Sequence, residues 1–422
     1  MKIKLLLLIL SLSLVLASCK KEPIEKPDAQ PELPNFSNVN LKDVFRKKDG
    51  RITNEDSIMA VINQYYRTVW EGGDLWGGFL IAKGDKILYE GYRGFAQDSL
   101  REPITSTTPL HVASISKSIT AMAVMKLAEA EKLSLQDDLT KFFPNFPYPG
   151  ITVLNLLTQR SGLPKYEYFI DKIDPAAPEL SKQFITNTDV LNMLLKYKPE
   201  ASRAPDSGFM YCNTNYALLA LIVEKITATP FPEAMKQMVF EPLKMKHSYI
   251  LTEKKLETAA KSFYNRGPKV HPYDRLDLIY GDKNVYTTPR DLYNFSKAMF
   301  SEDFLIPELM SIVFTPYSNE KPGINNYGIG FRMKVYDNGR KLTFHTGWWH
   351  GTNSVFGHLL NSDVTIVSIG NKFSRGPYTA LSLASLFDEY PIEIARLQSA
   401  LGLPAEDSAK AGIDSAAVNE EL

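Results

Sequence analysis

Strand-forming sequence stands near both ends of this 422-residue chain, with helix-forming sequence between, and no feature restricts its fold more. Early on, Gly78–Ala82 and Lys86–Glu90 flank Lys83-Gly84-Asp85 and read as a β-hairpin. After Tyr327 the pattern alternates again. Gly330–Val335 and Lys341–Phe344 surround Asp337-Asn338-Gly339, a hairpin turn, and Ser354–Leu360 and Val364–Ile369 surround Asn361-Ser362-Asp363. Between these ends lie helical patterns broken by Pro and Gly, among them Val153–Leu157, Val190–Leu195 and Tyr216–Ile226. A further helix is predicted over residues 57–69. Ile115 to Ala130 has helical length, lacks Gly and Pro, and is apolar on most faces, which predicts a buried central helix. The expectation is an α+β fold: one antiparallel sheet made from both chain ends, flanked by helices, with an inserted helical subdomain. The sheet domain would be discontinuous, 50–145 and 286–395, with the helical subdomain at 146–285. The C-terminal tail is 396–422, and its last residues, about 404–422, are Ala-rich, acidic and expected to be loosely ordered.

The first residues form a separate unit of meaning. Lys2 and Lys4 precede a run from Leu5 to Leu16 that is apolar or Ser throughout. It falls short of the roughly 20 residues that span a bilayer and has the length of a signal-peptide core. Leu16-Ala17-Ser18-Cys19 follows and resembles the bacterial lipobox, in which the Cys is lipidated and becomes the first mature residue. Plain cleavage near Ala17 is the alternative. Residues 1–18 are therefore expected to be a lipoprotein signal peptide and 19–49 a tether, rich in Pro and charge over 20–36. The expected place is the bacterial cell envelope, with Cys19 anchoring the protein to a membrane. Removing the leader leaves Cys212 as the one thiol besides Cys19, so packing alone must hold the fold. Lys plus Arg and Asp plus Glu are equal at 48, which gives no basic field for nucleic acid. No His-Glu-x-x-His occurs, the six His residues show no compact ligand spacing, and no metal or other cofactor is expected. No Gly-x-Ser-x-Gly supports an α/β-hydrolase. No obligate protein partner is evident.

Three Ser-x-x-Lys matches are present, and context separates them. Ser18/Lys21 straddles the cleavage site, and Ser318/Lys321 lies in a polar turn. Ser114-Ile115-Ser116-Lys117 opens the buried helix. There, residues three apart share a face, and the helix N-terminus favours developing negative charge at Ser114. A lysine among apolar neighbours is more easily held as the neutral amine that a base needs. Of three Tyr-x-Asn matches, Tyr336-Asp337-Asn338 is the hairpin turn and Tyr317-Ser318-Asn319 a loop, while Tyr211-Cys212-Asn213 directly precedes a helix. The plain alternative makes Tyr211 a packed aromatic and Asn213 a helix cap. His345-Thr346-Gly347 ends a strand, where Gly allows a close backbone or ligand approach.

Taken in order, Ser-x-x-Lys, Tyr-x-Asn and His-Thr-Gly resemble the signature of serine β-lactamases and penicillin-binding proteins, in the Tyr-x-Asn form of the class C branch. Thr158-Gln159-Arg160-Ser161-Gly162-Leu163 is similar to that family's Thr-His-Thr-Ser-Gly-Leu. Tyr211 to Tyr216 is similar to its Tyr-Ser-Asn-x-Gly-Tyr, and Thr287 to Leu292 to its Ser-Thr-x-x-Asp-Leu. The resemblance covers about residues 50 to 390. It implies that Ser114 forms an acyl-enzyme, that Lys117 and Tyr211 share the proton transfers, and that Asn213 positions Lys117 and the substrate amide. It also implies an oxyanion hole from the backbone N–H groups of Ser114 and Trp348, and substrate contacts along Thr346 and Gly347.

Two departures bear on the substrate. His345 stands where many relatives have Lys, and as a cation it would read a substrate carboxylate. The other reading makes it a hydrogen-bond partner of Tyr211. Trp348-Trp349 replaces small residues; the indoles would narrow the cleft, wall it with apolar surface, or pack beneath a helix. The expected function is a serine hydrolase acting on a D-amino-acid peptide, amide or ester. The alternatives are a β-lactamase and a non-catalytic penicillin-recognising sensor.

Overall fold

The computed structural model describes residues 54–299, 301 and 303–403. The leader, the tether, Cys19 and the tail beyond 403 lie outside the described residues. Ten strands are described, in chain order: β1 Gly77–Lys83, β2 Lys86–Arg93, β3 Leu110–His111, β4 Tyr249–Ile250, β5 Val285–Thr287, β6 Asn325–Tyr327, β7 Arg332–Val335, β8 Lys341–Trp349, β9 Thr352–Leu359 and β10 Val364–Gly370. The longer helices are α1 Glu55–Tyr65, α2 Ser116–Glu129, α3 Asn187–Tyr197, α4 Asn213–Thr227, α5 Pro289–Met299 and α6 Pro391–Ala400.

Seven strands form one antiparallel sheet in the order β2-β1-β10-β9-β8-β7-β6. Strands from early and late in the chain meet within it, where β1 lies beside β10 and Gly77 pairs with Gly370 and Lys83 with Val364. The expected α+β architecture is the observed one. Because side chains alternate across a strand, β1 feeds two separate cores. Leu80 and Ala82 pack with α2 and α4, and Phe79 and Ile81 pack with α1 residues such as Val61 and Tyr65. β10 divides the same way, with Val367 and Ile369 on the first face and Val364 and Ile366 on the second. The sheet is thus covered on both faces, which explains why β9 and β10 are buried throughout.

Boundaries moved where local chemistry overrode pattern. The helix predicted over 57–69 is α1, followed by a wider turn, Tyr66–Glu71. The predicted strand Lys341–Phe344 runs on to Trp349, so His345-Thr346-Gly347 lies inside β8 rather than at its end. The short strands β3, β4 and β5 form a second small sheet that sequence periodicity did not reveal, since two or three residues carry no period. Thr288 Oγ accepts the Asp291 N–H (3.0 Å) at the first turn of α5, which gives the Thr287–Leu292 stretch a capping role.

Candidate active site

The turn before α2 sets the site. Ala113 takes a left-handed conformation (φ +47°), costly for a residue with a Cβ. A short 3₁₀ turn, Ala113–Ile115, then leads into α2, with Ser114 at the turn. The turn is held from several sides. Ser354 Oγ donates to Val112 O (2.8 Å), and Val285 N–H donates to Ser116 Oγ (3.0 Å). Ser118 and Thr120 donate to the carbonyls of Gly330 (2.6 Å) and Gly281 (2.8 Å). The hydroxyls of the apolar-looking helix are therefore its fastenings.

Lys117 is fully buried. Its Nζ donates to Ser114 Oγ at 3.0 Å and to Asp282 O at 2.7 Å, and it stands 4.9 Å from the centre of the Tyr211 ring. Ser114, Lys117 and Tyr211 are thus brought together from the two motifs. Tyr211 is fixed through its neighbours. Gln159, left-handed at φ +60° and buried, accepts from Cys212 N–H (2.9 Å) and Asn215 Nδ2 (2.7 Å) through Oε1, and from Met210 N–H (2.8 Å) through its carbonyl. Ser161 Oγ donates to Asn215 Oδ1 (2.5 Å). The Thr158–Leu163 and Tyr211–Tyr216 stretches, separate in sequence, are one clamp.

Asn213 departs from expectation. It is the first residue of α4, with Cys212 as the cap. Its Nδ2 donates to Glu167 Oε1, not to any atom of the Lys117–Ser114 pair. The contact that orients Lys117 is the Asp282 carbonyl, which no motif flagged. Behind it, Tyr166 Oη donates to Asp282 Oδ2 (2.6 Å) and accepts from Lys283 Nζ (2.6 Å). Burial pushes the Glu167 carboxyl up from its usual range. Glu167 Oε2, Asn213 Oδ1 and Asp282 Oδ1 are buried acceptors that meet no donor.

His345 is also corrected. It is fully buried, and its Nδ1 lies 2.7 Å from Thr346 O. A carbonyl can only accept, so Nδ1 carries the proton, and Nε2 is left to accept from Tyr327 Oη at 3.2 Å. That is the neutral imidazole. Burial, then the Arg332 and Lys117 charges, hold its pKa well below the ordinary value. It is neither a cationic carboxylate reader nor hydrogen-bonded to Tyr211, whose ring centre lies 6.2 Å away. Arg332, at the start of β7, stands beside Tyr211 as Lys117 does, with Cζ 4.9 Å from the Tyr211 ring centre.

Buried neutral histidines predict acid lability. His345 and His358 both resist protonation when folded, His358 down to about 3 through burial. Unfolded, each takes a proton near pH 6.5. Their contribution is therefore complete above about pH 6.5 and is lost as pH falls below it. Going from pH 7.5 to 5.5 should cost ~1.4 kcal/mol per histidine. Urea midpoints at both pH values, for the wild type and for His345→Asn with His358→Asn, check this. An equally steep loss in the double variant would refute it.

β7 pairs with β8 only from Lys341 to Phe344, so on that side the edge of His345–Trp349 has no strand partner among the described residues. There Gly347 abuts the nucleophile turn: a Cβ on it would lie 2.2 Å from Val112 O and 3.2 Å from Ala113 Cβ. The two tryptophans differ, and neither packs beneath a helix as one reading had it. Trp348 is 49% exposed. Trp349 turns inward, donating from Nε1 to Asp277 Oδ1 (2.5 Å), with Lys283 Nζ 4.7 Å from its ring. Ser318 and Asn338 sit in the turn and loop settings read for them, Ser318 bonded to Asn326 and Asn338 beside Arg340.

Known proteins share this fold. The β-lactamase family model matches residues 62–386. Penicillin-binding protein 4* of Bacillus subtilis (strain 168) is 27% identical over 327 residues, covering 73% of this chain and 70% of that one. The penicillin binding protein from Bacillus halodurans superposes with a TM-score of 0.66 at 26% identity, covering 75% of this chain and 97% of that one. A D-amino acid amidase from Ochrobactrum anthropi SV3 shares the fold, with a TM-score of 0.64 at 21% identity over 81% of this chain and 98% of its own. With Ser114, Lys117 and Tyr211 assembled on that fold, the chain belongs to the β-lactamase family, alongside the penicillin-binding proteins.

Proposed function

We propose that this protein is a serine hydrolase of the class C-like branch that acts through an acyl-enzyme on D-amino-acid peptides, amides or esters. The observation that carries the reading is the 3.0 Å contact between Lys117 Nζ and Ser114 Oγ at a helix start. With the amine neutral, the same contact takes the Ser114 proton as Oγ bonds to the substrate carbonyl. The carbonyl π pair becomes an oxyanion, facing the backbone N–H groups of Ser114 and Trp348 on the open edge of β8. Collapse expels the leaving group, which receives the proton through Lys117 and Tyr211. Water then repeats the sequence and releases the acid.

Two features suit an amino-acid substrate. The donor-free oxygens of Glu167, Asn213 and Asp282 suit a substrate carrying an amino group. Arg332 supplies the cation that His345 does not, and it suits a terminal carboxylate. A panel of a D-Ala-D-Ala peptide, a D-amino acid amide, a short acyl ester and a chromogenic cephalosporin tests the reading. Turnover of the cephalosporin alone would favour the β-lactamase alternative, and acylation without turnover of any substrate would favour the sensor. Arg332→Ala should raise KM for the peptide about tenfold or more, the scale of one charged hydrogen bond, and leave the neutral ester unchanged. Equal losses on both would remove the carboxylate role.

The export reading rests on Leu16-Ala17-Ser18-Cys19, and no helix among the described residues is long and apolar enough to cross a membrane. Intact mass of detergent-extracted protein should give an acylated N-terminal Cys19. Since stable anchoring takes more than one chain, Cys19→Ala should move the protein to the soluble fraction. A membrane-bound Cys19→Ala protein would sink this reading.

A further inference from the structure

Beyond the Ser114 machinery, the far end of β8 meets the Asp274–Asn284 segment around a polar cavity of about 20 Å³, room for one water-sized occupant. His111, His271, Asp277, Trp349 and His350 are in its wall. His350, left-handed at φ +50°, places Nε2 3.0 Å from both carboxylate oxygens of Asp277 and 3.8 Å from Asp274 Oδ2. One ligand atom from each of these three residues lies within 4.8 Å of the other two. Independently, His111 on β3 is only 7% exposed, and its Nε2 meets no partner although it lines this polar cavity. A buried imidazole nitrogen without a partner is costly unless something occupies the space before it.

We propose that His350, Asp277 and Asp274 bind one divalent transition-metal ion, zinc by the match of donors, and that His111, which stands outside their 4.8 Å group, closes on it as the fourth ligand. Two carboxylates balance the charge of one divalent cation, and the two imidazoles bind it as neutral donors, His350 releasing its proton to solvent as the metal replaces its contact with Asp277. Mixed nitrogen and oxygen donors suit zinc at about 2.0–2.2 Å each, which sets neighbouring ligand atoms roughly 3 Å apart. Calcium and magnesium prefer oxygen throughout. Supporting contacts are in place. Trp349 Nε1–H and the Asp274 N–H both donate to the Asp277 carboxylate, and Asn284 Nδ2 donates to its carbonyl (2.6 Å). His111 Nδ1 lies 3.4 Å from Thr352 Oγ, which leaves Nε2 for the ion. The ion would tie the β8–β9 turn to the segment whose Asp282 carbonyl holds Lys117, stiffening one wall of the active site.

The test uses the full chain, stripped with chelator and dialysed, then titrated with zinc sulfate by calorimetry and assayed for bound metal by mass spectrometry. One zinc per chain is expected, with a higher melting temperature. His350→Gln and Asp277→Asn should each weaken binding by at least the roughly 10–100-fold that loss of a supporting contact costs. His111→Gln, which removes no charge, should weaken it similarly and guards against a misfolded Asp277→Asn; circular dichroism melts without zinc show which variants fold. Ser114→Ala should bind zinc as the wild type does, so the outcome is independent of the hydrolase reading. No uptake by the folded wild type, or uptake unchanged in both His350→Gln and His111→Gln, would overturn the site and leave only a His350–Asp277 ion pair.

Discussion

Lys117→Ala should leave a folded protein whose acylation rate is lower by about 10²–10⁴, the usual contribution of a positioned proton carrier. Ser114→Ala should lose acylation altogether, together with labelling by a fluorophosphonate. Both follow from geometry: the amine lies 3.0 Å from the hydroxyl, and a second contact, to Asp282 O, fixes its direction. Removing the lysine also leaves the Asp282 carbonyl without that donor, so a modest loss of stability should accompany the kinetic one. The measurement is stopped-flow acylation by a chromogenic ester, with the adduct mapped by peptide mass spectrometry. Mass on the peptide carrying Ser318, or full turnover in Ser114→Ala, would remove the assignment.

Gly347→Ala should damage both stability and turnover. Its Cβ would stand 2.2 Å from Val112 O and 2.3 Å from Ser354 Oγ, so β8 and the Ser114 turn must part. Overpacking of this kind costs ~1–3 kcal/mol. The same movement would displace the backbone N–H of Trp348, proposed above as an oxyanion donor, and loss of one such donor costs about 10²–10³ in turnover. Gly339→Ala is the comparison. It has a positive φ of +79° but open space around it, and it lies in the β7–β8 turn. It should lower the melting temperature with turnover kept. If both variants keep full activity, Gly347 does not set the spacing between β8 and Ser114.

What the sequence revealed and what it hid divide along a physical line. The sheet was legible because β1, β2 and β8 to β10 are long enough to show a period of two and carry sharp turns. Ser114, Lys117 and Tyr211 were legible because three or four chain-adjacent residues carry the chemistry. The carbonyl that aims Lys117 was not, since any residue at position 282 would supply it. His345 was misread for a different reason: its charge depends on burial and on Arg332, neither of which is adjacent in sequence. The same holds for the histidines at 111, 271 and 350, whose spacing suggests nothing until β3, the Asp274–Asn284 segment and the β8–β9 turn are folded against one another. Glu167 gave no signal either; it is one glutamate among many until α4 presents Asn213 to it.

The pairing of β1 with β10 joins residues roughly 290 positions apart, and β10 supplies the inner neighbour of the first hairpin. A ribosome emitting this chain releases β1 long before its mate. Until Gly370 has emerged, the first hairpin has one bare edge, and the two cores on either side of it lack Val364, Ile366, Val367 and Ile369. Contacts of such long range form late and slowly. For a protein handed across a membrane as an extended chain, as proposed above, this delay is an advantage, because the sheet closes only once nearly the whole polypeptide has arrived on the far side.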